Sequence, residues 1–302
     1  MSQPTAIDAF CGAGGLSLGL HQAGFNVLLG FDNDPVSIRT QLENPRYIDH
    51  PVWVADARSI DGEEVLNMIG LERGQLGLLA GGPPCQGFSM QRTIGKESDH
   101  RNLLVHDYGD LIRALLPRMF LMENVPGIGG KRGREVLLKF KHEMENAGYS
   151  IQETTLDAQN FGVPQRRRRV LVVGERLDGG GPQFKWPEES LSSPPTVRDI
   201  IAGLPIPPPD GTDHPSHHGH RADRLSELNK ERLRAIGPGQ GRTDLPKELL
   251  AECHMLSADT IGHRNVYGRM SWDSVAPTIT ARFDSFTRGQ FGHPEQVRTI
   301  SL

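Results

Sequence analysis

Short apolar runs alternate with helix-period stretches up to about residue 175. Residues 6–11, 26–32, 52–56, 76–81, 119–123, 150–157 and 169–174 read as strands, several of them almost continuously apolar. Residues 15–23, 35–43, 104–116 and 134–147 place apolar positions three and four apart and read as helices. Continuous apolar strands separated by helices predict an α/β fold: a doubly wound, mostly parallel sheet with helices on both faces. Ligands of such sheets bind beyond the carboxyl ends of the strands. Cys11, Asp32, Asp56, Cys85 and Glu123 all fall at or just past those ends.

The texture changes near residue 180. Gly179-Gly180-Gly181-Pro182 opens a stretch rich in Pro, Gly, Ser and His, including PIPPPD at 205–210, with only a few short helical patterns such as 224–236. This predicts a second, smaller, loop-rich domain. The expected division is 1–180, 181–275, and a final 276–302 in which strand-like text (PTITARF) begins a return to the first domain.

Composition narrows the class. The 302 residues are 36% hydrophobic and 23% charged, as in an ordinary soluble globular protein. No apolar run approaches the roughly 18 residues of a membrane span, and the N-terminus lacks a signal-peptide pattern, so no membrane association is expected. Three widely spaced cysteines, Cys11, Cys85 and Cys253, argue against a disulfide framework and a cysteine zinc site. A cytoplasmic setting is expected. The net charge of −4 does not by itself point to a polyanionic partner.

The candidate chemistry sits in four places. DAFCGAGG at 8–15 follows the first strand and opens a helix; taken alone, it fits a tight turn as well as a ligand loop. Asp32 and Asp56 end the next two strands, where a carboxylate can accept from ribose hydroxyls or an amino group, or can simply be solvated. GGPPCQGFS at 81–89 sets Cys85 behind two prolines, an odd setting for a small buried hydrophobe. Glu123-Asn124-Val125 ends the fifth strand. Gln165-Arg166-Arg167-Arg168-Arg169 precedes the last strand; alternation would put Arg167 and Arg169 on one face, Arg166 and Arg168 on the other. Such a run is otherwise a solvated basic patch. His214, His217, His218 and His220 match no regular zinc spacing and read as a polar loop.

DAFCGAGGLSLG, GGPPCQGFS, MENVPGI and QRRRRV, in that order, closely resemble the motifs of the DNA (cytosine-5) methyltransferase family. The resemblance implies a Rossmann-like methyltransferase domain that takes S-adenosylmethionine as co-substrate, with a target-recognition domain beside it. Phe10, Gly12, Ala13, Gly14 and Gly15 would line the cofactor. Asp32 with Asn33 would hold its ribose, Asp56 with Ala57 would meet its adenine, and Leu104 would join the pocket. Cys85 would be the nucleophile that adds to carbon 6 of a flipped-out cytosine. Glu123 would bond the ring, Arg167 and Arg169 would approach the base and the thiol, and Gln86, Gly87, Phe88 and Ser89 would close over it. No metal is implied.

The expected substrate is double-stranded DNA, in a restriction–modification or orphan setting with a cognate endonuclease as a partner in the former. Transfer RNA is the alternative substrate, and a non-catalytic subunit the alternative class. Family members continue past the residues matched by 277–302, into an Arg-Glu helix and a Gly-Asn-rich helix that closes the cofactor pocket. A second polypeptide carrying those helices, or a truncated chain, is therefore expected. Apolar surface near Phe10 and Leu16 should be left exposed.

Overall fold

The computed structural model describes residues 3–84, 104–130, 133–178, 183–190, 193–252 and 266–301. Cys85, Gln86, Gly87, Phe88, Ser89 and Cys253 lie outside them. Two compact units are present, one made of residues 1–156 and 168–186, the other of 157–167 and 187–302.

The first unit is built on seven strands, β1 (Thr5–Ala9), β2 (Asn26–Asp32), β3 (Val52–Val54), β4 (Leu78–Gly81), β5 (Met119–Asn124), β6 (Tyr149–Asp157) and β7 (Arg168–Arg176). They form one sheet in the order β3-β2-β1-β4-β5-β7-β6. Pairings among β1 to β5 are parallel, and β7 runs antiparallel to β5. Period-two alternation sorts each strand between two cores. Ile7, Ala9, Leu29, Phe31, Leu79, Phe120 and Met122 meet Leu111 and Ile112 of α4 (Leu104–Leu115) and Leu137 and Phe140 of α5 (Arg134–Asn146). Ala6, Val27, Leu78 and Ala80 meet Leu20 of α1 (Gly15–Gln22) on the other face. Full burial of each large side chain contributes about 1.5–3 kcal/mol, before the cost of ordering the chain. The sheet with helices on both faces is the doubly wound α/β fold read from the sequence.

The ends of elements differ from the expected ones for local reasons. β1 stops at Ala9 because Phe10 takes a left-handed φ of 58°. β3 stops at Val54, and Asp56 instead caps a short 3-10 turn, Ala57–Ser59, by accepting from the Arg58 N–H. The chain also forms α2 (Pro35–Leu42), capped by Asp34 with Pro35 in its first turn, and α3 (Gly62–Ile69), capped by Asp61. Capping carboxylates of this kind satisfy otherwise orphaned amides. α3 was not read from the sequence, though Val65 and Leu66 bury one face of it.

The second unit holds α6 (Val197–Ile201), α7 (Glu227–Arg234) and isolated bridges. Its core gathers Leu233, Ile236, Leu245, Val266, Tyr267 and Phe286. Arg269 is only 4% exposed, and its guanidinium donates to the carbonyls of Leu233, Ile236, His293 and Gln296. The segment around Arg269 is thus anchored by a charge spread over main-chain oxygens. Residues 277–283 form no strand; Ala276 makes an isolated parallel bridge to Gln165, and then Pro277 has no N–H to extend it.

One further expectation is corrected. Phe10 and Leu16 are half-buried and packed against the two cores, rather than exposed. His220 is fully engaged: its Nε2 donates to the Pro205 carbonyl at 2.7 Å, so its Nδ1 accepts from the Ser301 hydroxyl at 2.6 Å. No helix among the described residues is long and apolar enough to cross a membrane.

Candidate active site

Two clusters form at the carboxyl edge of the first unit's sheet. The first is a cavity of about 240 Å³ lined by Phe10, Phe31, Asp32, Asn33, Ala55, Asp56, Ala57, Gly82, Pro84 and Leu104. Six of the ten residues expected around a cofactor are brought together here: Phe10, Asp32, Asn33, Asp56, Ala57 and Leu104. Phe31, Ala55, Gly82 and Pro84 were missed. Phe31 and Ala55 look like ordinary strand residues, and only their neighbours Asp32 and Asp56 marked the place.

Gly12, Ala13, Gly14 and Gly15 do not line this cavity. They build its support. Gly12 and Gly14 have φ of 53° and 90°, a region that side chains rarely adopt. A Cβ on Gly14 would also lie 3.1 Å from Gln41 and Ile48 atoms. The Gly12 N–H does not point at a ligand; it donates to Asp32 Oδ2 at 2.9 Å, while the Asp34 N–H donates to Asp32 Oδ1 at 2.9 Å. Each oxygen of Asp32 keeps a lone pair for a further donor. Gln41 Nε2 holds the loop from behind, reaching the Gly12 carbonyl at 2.7 Å and Cys11 Sγ at 3.0 Å. Burial pushes the Cys11 thiol up to about 12, which leaves it an inert packing group.

Phe10 sits in the left-handed region with its ring against Phe31 and edge-on to Tyr108, at centroid distances of 6.4 and 6.3 Å. For a bulky residue this is a strained backbone, held by the aromatic contacts around it. Asp56 is clasped by Arg58, whose Nε and Nη2 reach its two oxygens at 2.9 and 2.5 Å. That pairing and the Arg58 amide hold the Asp56 carboxyl down at about 2.

The second cluster is centred on Glu123. β5 pairs with β7 so that Glu123 faces Leu171; Arg169, two residues before Leu171, is the diagonal neighbour on the same face. Arg169 Nε donates to Glu123 Oε1 at 2.5 Å. The side chains are 20% and 34% exposed, so the pair is neither sealed nor free in solvent. A Cβ on Gly82 would stand 3.3 Å from Glu123 Oε2, so glycine there lets the carboxylate lie against the chain that leads to Cys85. Asn124, 3% exposed, donates from Nδ2 to the Pro83 carbonyl at 3.0 Å and accepts from the Val125 N–H at 2.9 Å. Asn124 thereby fixes the proline pair to β5, a role the sequence did not reveal.

Arg166 and Arg168 are exposed, and Arg167 and Arg169 half-buried, in the alternation expected. The strand begins only at Arg168, however, and Arg167 belongs to the second unit, where its N–H donates to Asp157 Oδ1 at 2.9 Å. Cys85, the expected nucleophile, lies outside the described residues; the described stretch 3–84 ends at Pro84, immediately before it.

Comparison with known proteins gives this geometry its family. The sequence profile of the family described as C-5 cytosine-specific DNA methylase matches residues 5–302. The type II methylase M.HgiDII of Herpetosiphon aurantiacus is 36% identical over 98% of this chain and 81% of its own length. The type II methyltransferase M1.HphI of Haemophilus parahaemolyticus is 33% identical over 81% of this chain and 64% of its own. In fold, the chain is similar to a prophage-encoded protein of Escherichia coli described as a DNA modification methyltransferase, with a TM-score of 0.73 and 23% identity over 99% and 86% of the two chains. A doubly wound sheet with a carboxylate–arginine pair beside the Gly82–Pro84 segment, and a family match along nearly the whole chain, lead to one conclusion: this chain belongs to the C-5 cytosine-specific DNA methylase family.

Proposed function

We propose that the chain transfers a methyl group from S-adenosylmethionine to carbon 5 of a cytosine in double-stranded DNA, through a covalent adduct on Cys85. The observation that carries this reading is the Glu123–Arg169 pair held against Gly82, with Asn124 bracing the Pro83-Pro84 segment next to Cys85.

Carbon 5 of cytosine is too weak a nucleophile to react unaided. The Cys85 thiolate forms a bond to carbon 6, and the ring's electrons become available at carbon 5. Glu123, as a protonated or proton-sharing carboxyl, donates to ring nitrogen 3 and accepts from the exocyclic amine, offsetting charge that develops on the ring as sulfur adds. Arg169 acts through Glu123, holding its carboxyl group in place. After methylation, loss of the carbon-5 proton and breakage of the carbon–sulfur bond restore the ring and the thiolate. The reacting carbon is stacked within a duplex, so the nucleotide must be extruded at a cost of about a few kcal/mol.

S-adenosylmethionine supplies an electrophilic methyl group when bound. The cavity suits it: Asp32 retains lone pairs for ribose hydroxyls, Asp56 adjoins Ala57 as a partner for an adenine amine, and Phe10, Phe31, Ala55 and Leu104 give apolar walls. The second unit, which carries the Gly-, Pro- and His-rich text, is the proposed DNA reader. DNA rather than transfer RNA is favoured by the relatives above 30% identity, which are named as type II methylases. The same names favour a restriction–modification setting with a cognate endonuclease.

The test is transfer of labelled methyl groups to duplex DNA and to transfer RNA in parallel, with trapping on DNA containing 5-fluorocytosine. Fluorine cannot leave as a cation, so the wild type should accumulate a covalent adduct and Cys85→Ser should not, while still binding cofactor. Label on RNA alone overturns the substrate; no adduct from the wild type overturns the mechanism.

A further inference from the structure

Among the described residues, one group of metal-ligating side chains converges away from the site above. His21 lies in the last turn of α1, and Asp49 and His50 lie in the segment between α2 and β3. One ligand atom from each falls within 4.8 Å of the others. His21 Nε2 is 3.0 Å from His50 Nδ1 and 3.4 Å from Asp49 Oδ1. Ligands bonded to zinc at about 2.0–2.1 Å in a tetrahedron stand about 3.3 Å apart, between those two separations. The two imidazole rings are inclined by 35°, with centroids 5.1 Å apart.

Two neutral imidazoles facing nitrogen to nitrogen share one proton, leaving one lone pair turned toward the other ring. A cation replaces the shared proton without removing it from the protein: the ring that held it changes tautomer and carries it on the opposite nitrogen. Asp49, exposed, supplies the negative charge.

We propose that His21, Asp49 and His50 bind one divalent transition metal of the zinc class, with solvent in the remaining positions. Two imidazoles and a carboxylate suit Zn²⁺, Co²⁺ or Ni²⁺ and are poor ligands for Mg²⁺ or Ca²⁺. The role is structural. Ile48, two residues before His50, lies under Gly14, so an ion there would brace the segment supporting the glycine loop. The proposal is independent of the methylation chemistry, which needs no metal.

The experiment uses the untagged full-length chain, stripped with chelator and titrated with Zn²⁺ by calorimetry. A parallel sample is loaded with Co²⁺ and followed by its visible ligand-field absorption. One equivalent should bind to the wild type and to Cys85→Ser, with cobalt bands of nitrogen and oxygen donors and no thiolate charge transfer. His21→Gln and Asp49→Asn, which leave buried His50 in place, should each abolish uptake while keeping the wild-type circular dichroism. His214→Gln should bind like the wild type. No uptake by the wild type, or uptake unaltered in both His21→Gln and Asp49→Asn, overturns the proposal.

Discussion

Replacing Asn124 with alanine tests whether β5 positions the reacting loop. The Asn124 amide donates to the buried Pro83 carbonyl at 3.0 Å and accepts from the Val125 N–H at 2.9 Å. Alanine removes both bonds. The Pro83 carbonyl, left without that partner in a buried setting, costs about 1–3 kcal/mol; the Val125 amide, partly solvated, costs less. A loss of about 2–3 kcal/mol is expected in a urea melt, with the slope unchanged. Cys85 is two residues from the released carbonyl, and a misplacement near 1 Å can cost about 100-fold in rate. Single-turnover methylation and 5-fluorocytosine trapping should therefore slow by about 10–100-fold at saturating cofactor. Cofactor affinity should change far less, because Asp32, Asp56 and Phe10 keep their own contacts. Asn124→Asp should not rescue the rate: it preserves the acceptor for Val125 but sets a carboxylate oxygen against the Pro83 carbonyl. Turnover within about twofold of wild type in a stably folded Asn124→Ala would refute the reasoning.

Asp32→Ala should weaken cofactor binding in a fluorescence or calorimetric titration and lower turnover at saturation much less, since its contacts serve ground and transition states alike; a large turnover loss at unchanged affinity would sink the assignment. Arg269→Met deprives four carbonyls of their common donor and should destabilise the second unit by about 3–5 kcal/mol, read as proteolysis confined to that unit. Wild-type resistance would contradict this. Burial, with Arg298 and Arg269 nearby, holds His293 down to about 4, and its Nδ1 accepts the Glu295 and Gln296 amides. An unfolded histidine titrates near 6.5, so the unfolded chain binds more protons between about 6.5 and 4; the stability is present above that window and lost as pH falls through it. His293→Asn should flatten the pH dependence of denaturant melts there, and an unchanged slope would refute the link.

The sheet was legible because each of its strands carries its own signal. Runs such as 26–32 and 119–123 are apolar enough to mark both position and burial, and acids following them mark the ligand-binding edge. The cavity was half legible for the same reason: Asp32 and Asp56 stand out, whereas Phe31 and Ala55 do not. What stayed hidden depends on contacts distant in sequence. Gly12 was expected to line the cofactor, but the Asp32 carboxylate, twenty residues away, takes its amide. The Asn124 amide bonds a carbonyl forty-one residues earlier, and no local pattern encodes that. The second unit was read least well. Its described residues beyond 187 form only isolated bridges, and a buried arginine bonded to carbonyls organises its core, while binary patterning assigns arginine to the surface.

The reversed direction of β7 sets a rule for where this site tolerates changes in length. Asp32, Asp56 and Glu123 follow a strand, or stand at its end, and the chain beyond them is free to lengthen without disturbing the ladder. Arg169 lies within its strand one residue before the ladder to β5 begins, with Val170 opposite Asn124. One residue inserted between Arg169 and Leu171 would rotate the guanidinium to the far face of the sheet, whereas the same insertion after Asn124 would leave the register of the pair untouched. Surveys of natural or engineered insertions should find them after Asn124 or before Arg168, and not between Arg169 and Leu171.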